Sequence, residues 1–176
     1  AGVIGCWYAV LFSKAGYDTT IYARNKRLEL LRQEGLRYEV KGKIHKADVK
    51  IIDRLENEEN YDYIFLTVKE NQVHTALEEL SHNVSPNIVT MVNTIEEYEN
   101  CERLSGEGRI IPAFPGAGGS FKDGILKAAL TPYIIQPTTF AEINGCHTER
   151  LDKLSKIFES SHVPYQKVKN MQDWQL

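Results

Sequence analysis

The stretch AGVIGCWYAVLFSKAGYDTTIYARNKR, Ala1–Arg27, decides how the rest of the chain is read. Gly2 and Gly5 stand three apart, ahead of a run of small and apolar residues, Ile4 to Ala15, that reads as a helix stopped by Gly16. A β-rich run, Asp18 to Ala23, follows it. A dinucleotide-binding turn has the form G-x-G-x-x-G between a strand and a helix. Its glycines permit a tight turn, close approach of backbone to pyrophosphate, and close helix–strand packing. Gly2 and Gly5 have the spacing of the second and third of these, so Gly2, Val3, Ile4 and Gly5 are the candidate pyrophosphate cradle. The first glycine and the first strand are expected ahead of Ala1, which makes this chain a fragment lacking that strand. The alternative is that these are small residues packing a helix start.

At the end of the second strand an NAD-binding protein carries Asp or Glu to hold the ribose 2′-hydroxyl. Here Arg24 stands nineteen residues after Gly5, about where that acid belongs. A guanidinium pairs with a 2′-phosphate, which a carboxylate repels. Lys26 and Arg27 add positive charge nearby. The site therefore reads as NADP(H) rather than NAD(H); a solvated arginine at a strand end is the alternative.

Beyond this point helices and strands alternate. Lys26 to Glu34 reads as a short helix, and Leu36 to Val40 with Ile44 to Ile52 as an antiparallel hairpin turning at Lys41-Gly42. Continuous apolar runs, Tyr61 to Val68, Asn87 to Asn93 and Arg109 to Phe114, read as strands covered on both faces. Helices are expected over Gln72 to Leu80, Glu96 to Leu104 and Thr148 to Ser160, the last with Leu151, Leu154, Ile157 and Phe158 on one face. Further strands fall between about Ile125 and Ile135 and in VPYQKV, and a helix begins near Asn170. The pattern predicts an α/β fold, Rossmann-like and doubly wound, with a mostly parallel sheet and an antiparallel hairpin insertion.

Ligands of such a sheet bind outside the carboxyl ends of its strands. Three runs end there: in Lys69 with Gln72 one turn on, in Asn93, and in the glycine-rich PGAGGS that carries Gly119 and Ser120. Each polar residue is equally suited to capping a helix or facing water.

Composition limits the rest. The chain has 176 residues, 42% of them hydrophobic, and a net charge of -3, with scattered basic residues; nothing points to nucleic acid. The longest apolar run is too short to cross a bilayer. Three distant cysteines make neither a disulfide framework nor a metal spacing, which points to a reducing cytoplasm. The five histidines have no helix-face metal spacing, so no metal site is expected.

With AGVIG, YARNKR, GLRYEV and its hairpin, TVKENQ, Val92-Asn93, Lys122 to Gly124 and NMQDW in this order, the chain resembles the ketopantoate reductase (2-dehydropantoate 2-reductase) family. The resemblance implies NADPH-dependent reduction of a 2-oxo acid to a 2-hydroxy acid in pantothenate synthesis. It implies an NADP-binding domain over 1–165 and, over 166–176, the start of a helical C-terminal domain otherwise missing, through which a homodimer would form. Carried over by position, Gly2 to Gly5 cradle the pyrophosphate and Arg24 the 2′-phosphate. Lys69 and Asn93 line the cofactor and substrate crevice as candidate catalytic or cofactor-binding residues, and the loop around Gly119 and Ser120 lies near the cofactor.

Two departures stand out. The family has Asn-Gly where this chain has Asn93-Thr94, and a catalytic lysine in a W-x-K pattern where this chain has Trp174-Gln175-Leu176. Leucine cannot donate a proton. A non-catalytic NADP(H)-binding sensor or regulator is accordingly the alternative to a reductase.

Overall fold

Helix α1, Val3–Lys14, shows no apolar stripe, because Cys6, Trp7, Tyr8, Ala9, Val10 and Phe12 are all buried. A helix apolar all round needs cover on more than one side, and α1 has it. Tyr8 and Phe12 join one core cluster, and Cys6, Trp7, Ala9 and Val10 join another. The computed structural model describes residues 1–94 and 97–175.

After α1 come β1 (Thr20–Tyr22), α2 (Asn25–Glu34), β2 (Arg37–Val40), β3 (Lys43–Lys46) and β4 (Lys50–Ile52). Next are β5 (Ile64–Leu66), a 3-10 turn (Glu70–Gln72), α3 (Val73–Leu80), β6 (Ile88–Met91), α4 (Tyr98–Ser105) and β7 (Ile110–Phe114). The remainder is β8 (Ala117–Lys122), β9 (Ile125–Leu130), β10 (Thr138–Phe140), α5 (Glu149–Ser160), β11 (Tyr165–Lys167) and α6 (Met171–Gln175). The strands form a five-stranded sheet in the order β11-β10-β7-β6-β5, a four-stranded sheet β3-β2-β9-β8, and a parallel pair β1-β4.

Strands β5, β6 and β7 run parallel, and β10 enters antiparallel to β7. All of β6 and most of β7 are buried, as their unbroken apolar runs require. Helices α3 and α4 cover one face through Val73, Leu77, Leu80, Tyr98 and Cys101. Helix α5 covers the other with Leu151, Leu154 and Phe158, its N-terminus capped by the Thr148 hydroxyl. The expected α/β architecture is present, with antiparallel elements added to a mostly parallel central sheet.

Several boundaries differ from expectation. Ile44 to Ile52 is two strands, because the chain turns a corner after Ala47. Its N–H donates to Leu36 O (2.9 Å), and three residues on the Lys50 N–H donates to Thr19 O (2.9 Å), so β4 leaves the hairpin and lies parallel beside β1. The hairpin turn is as expected: Lys41 (φ 51) and Gly42 (φ 75) both take the left-handed conformation of a two-residue loop. The stretch after Phe114 is not an open loop. Ala117 to Lys122 pair residue for residue with Leu130 to Ile125. Gly119 is a glycine because a Cβ there would lie 2.3 Å from Lys127 O and 2.6 Å from Ala128 Cα. Strand character expected up to Ile135 stops at Leu130; Tyr133, Ile134 and Ile135 lie on an exposed turn, and the next strand is β10. The expected start of the α4 helix at Glu96 lies outside the described residues; the helix runs from Tyr98.

Candidate functional site

The first turn of α1 faces an open space. Gly2 is the extended N-cap residue (φ -98, ψ -170), with no side-chain cap and no acidic residue in the turn. The leading N–H groups of a helix have no acceptors within it, and its dipole places positive charge there, so such an end suits an anion. A Cβ on Gly2 would meet nothing within 4 Å, which leaves the approach to these N–H groups clear. Gly5 is crowded instead: its Cβ would lie 2.4 Å from Thr67 Oγ1, so α1 rests closely against the segment leaving β5. An open second glycine and a packed third glycine are what a pyrophosphate cradle needs, and these residues fit that group.

Lys69 and Asn93 are brought to one edge. Strands β5 and β6 are in parallel register with Leu66 opposite Thr90, and Lys69 and Asn93 each lie three residues beyond. Both are exposed. Lys69 precedes the 3-10 turn, and Gln72 folds back so that its side chain accepts from the Lys69 N–H (3.4 Å). Arg24 follows β1 directly. The Ala1 amine donates to Tyr22 O (3.3 Å), which puts the start of α1 next to the end of β1. Gly2, Gly5, Arg24, Lys69 and Asn93 therefore gather at the carboxyl ends of β1, β5 and β6. Ser120 lies exposed within β8, opposite Lys127, in the four-stranded sheet, next to the Phe121 whose ring lies under Arg27.

The surroundings of Arg24 were not visible in the sequence. Its Nε donates to Tyr22 Oη (2.8 Å), its Nη2 bonds Tyr22 Oη and Glu79 Oε2, and Tyr22 Oη donates to Glu79 Oε1 (2.7 Å). Hydrogen bonds to Tyr22 and Glu79 push the Arg24 pKa further up. Burial, followed by the Glu79 hydrogen bond, raises that of Tyr22. Glu79 sits on α3, 55 residues away, and no local pattern connects the two. Arg27 lies over the Phe121 ring at 3.5 Å, the two bordering a shallow groove with Lys26, Leu30 and Gly124. Trp174 packs beside Phe114, with ring centroids 5.6 Å apart, which brings α6 to the end of β7; Leu176 lies outside the described residues. Among the described residues no group of three or more acidic, His or Cys side chains could hold a metal ion.

Residues 1–133 match the family model described as ketopantoate reductase PanE/ApbA. No curated protein matches the chain. Among solved structures, the chain is similar to a PanE/ApbA family ketopantoate reductase from Ralstonia eutropha JMP134, with 17% identity and a TM-score of 0.78, over 98% of this chain and 55% of that one. It is also similar to 2-dehydropantoate 2-reductase from Geobacter metallireducens GS-15, with 19% identity and a TM-score of 0.80, over 96% and 56%. A third is D-mandelate dehydrogenase in a ternary structure with NADH and anilino(oxo)acetate, with 18% identity and a TM-score of 0.74, over 96% and 55%. At these identities the solved structures establish the fold. The chain spans little more than half the length of each.

Proposed function

The chain belongs to the ketopantoate reductase PanE/ApbA family, whose cofactor is NADP(H), and we propose that it is the cofactor-binding part of an NADPH-dependent reductase converting a 2-oxo acid to a 2-hydroxy acid. The observation that carries this reading is the convergence of the α1 N-terminus, Arg24, Lys69 and Asn93 on one strand edge.

In this reading the N–H groups after Gly2 hold the pyrophosphate and Arg24 pairs with the 2′-phosphate. The bound cofactor supplies the hydride. Lys69 polarises the ketone or holds the substrate carboxylate, and Asn93 orients cofactor or substrate through its amide. Ser120 would make a further cofactor contact from β8, beside the Phe121 that lies under Arg27. Residues beyond α6 would supply the rest of the substrate site, a helical domain and a dimer contact, as the greater length of the similar structures suggests. No described helix is long and apolar enough to cross a membrane, and three cysteines that form no disulfide suit a reducing cytoplasm.

One sequence feature favours a binding protein without catalysis: Leu176 stands where the family pattern has lysine. Turnover by the full-length protein with a panel of 2-oxo acids, ketopantoate first, separates the two. For a reductase, Lys69→Ala should lower turnover by about 10²–10³ and weaken NADPH binding less, since one well-placed donor or acid contributes that much. A mutant equal to the parent in both would make Lys69 a bystander, and no turnover by the parent with any 2-oxo acid would leave the binding protein.

A further inference from the structure

The ring formed by Tyr22, Arg24 and Glu79 uses both carboxylate oxygens of Glu79, one for the tyrosine hydroxyl and one for the guanidinium. The guanidinium also lies 4.9 Å from the centre of the Tyr22 ring. Glu79 projects from the exposed side of α3, whose other side is fixed in the core by Val73, Leu77 and Leu80. The Arg24 and Glu79 side chains remain 55% and 39% exposed. A pair so wet is held weakly and can open.

Resting on the reading of Arg24 as the partner of the cofactor's 2′-phosphate, we propose that Glu79 is a specificity-determining residue that holds Arg24 in reserve and thereby restrains preference for NADPH over NADH. A phosphate and a carboxylate compete for the same guanidinium N–H groups. A 2′-phosphate that takes the Arg24 Nη2 must displace Glu79, and one that takes the other N–H groups binds beside it; either way a carboxylate is left next to a dianion. A 2′-hydroxyl makes neither demand: it does not need the guanidinium, and it can donate to a carboxylate. Glu79 thus penalises the phosphorylated cofactor and spares the other. Tyr22 acts through both partners, fixing the carboxylate by donation and the guanidinium by acceptance.

The test is equilibrium titration of the purified protein with NADPH and with NADH, read by calorimetry, for the parent, Glu79→Gln, Arg24→Ala and the double variant. Glu79→Gln should tighten NADPH roughly three- to tenfold, the scale of one exposed ion pair plus one removed repulsion, and change NADH less than about twofold. In the Arg24→Ala background the same substitution should tighten NADPH less than it does in the parent, because only the repulsion between carboxylate and phosphate is left to remove. The proposal fails if Glu79→Gln leaves NADPH affinity as it was, tightens both cofactors alike, or weakens NADH by more than it tightens NADPH. If Arg24→Ala costs NADPH affinity but Glu79→Gln has no effect, only the restraint is wrong. If Arg24→Ala also leaves NADPH affinity intact, the assignment of Arg24 to the phosphate falls with it.

Discussion

The guanidinium of Arg109 donates to four backbone carbonyls, those of Leu80, Asn83, Ser85 and Ser105. Leu80 ends α3 and Ser105 ends α4, so one side chain closes the carboxyl ends of two helices, where carbonyls lack partners and the dipole is negative. Burial lowers the Arg109 pKa from its ordinary value, yet the group stays charged because that value is so high. Arg109→Ala would take this shared donor from all four carbonyls, leaving Leu80 O with the Asn83 N–H (3.1 Å), and should cost about 2–4 kcal/mol, read from the urea midpoint. Arg109→Lys, with a point charge in place of a fork, should recover only part of that. A loss under about 0.5 kcal/mol, the scale of an ordinary surface change, would show that Arg109 is dispensable there.

At the scale of elements, the β8–β9 hairpin depends on contact that only glycine permits. Gly119→Val would drive a side chain into Lys127 O and Ala128 Cα, backbone atoms that cannot swing away. The cost should be about 1–3 kcal/mol or more, seen as a lower melting midpoint, whereas Gly118→Val, with nothing within 4 Å, should change little. Equal effects at the two positions would contradict this register. The same hairpin explains what sequence could and could not disclose. Strands β5, β6 and β7 were legible because burial on both faces leaves an apolar run in the residues themselves. Helix α5 was legible through its buried Leu151, Leu154 and Phe158 and its Thr148 cap. Strand β8 looks like a loop in sequence because its glycines pair with residues nine to eleven positions on, and β10 leaves no signal because three residues, Thr138–Phe140, carry too little pattern. The strand-edge placement of Lys69 and Asn93 followed from local runs, but the Glu79 partner of Arg24 followed only from folding.

Across the whole molecule, α1 ties the sheets together. Trp7 meets Tyr38 of β2 edge-on at 6.3 Å, while Phe12 stacks among Phe65 and Phe158 on the other side. Tyr8 reaches furthest: its hydroxyl bonds Thr138 Oγ1 of β10 (2.6 Å) and accepts from the Gly116 N–H (3.1 Å). Burial pushes the Tyr8 phenol up to about 12 from an ordinary 10.0, and does the same to Tyr98 on α4. Between these values the unfolded chain releases a proton that the folded chain keeps, so the contribution of these two tyrosines is complete below about pH 10 and is lost as pH rises toward 12, with the buried Cys6 thiol, raised from its ordinary 9.0, adding a loss that begins earlier. A shift of about two units is worth roughly 2–3 kcal/mol for each such group by pH 12. Melting curves from pH 8 to 11.5 should therefore show a midpoint that falls most steeply above pH 10. Tyr8→Phe should be less stable than the parent at pH 8 by about 1–2 kcal/mol, the loss of its hydroxyl bonds, yet decline less steeply above pH 10 because one titrating group is gone. The two curves should converge toward alkaline pH. Parallel curves would mean that the Tyr8 proton is not linked to folding, and the alkaline loss would then rest on Tyr98 and other groups.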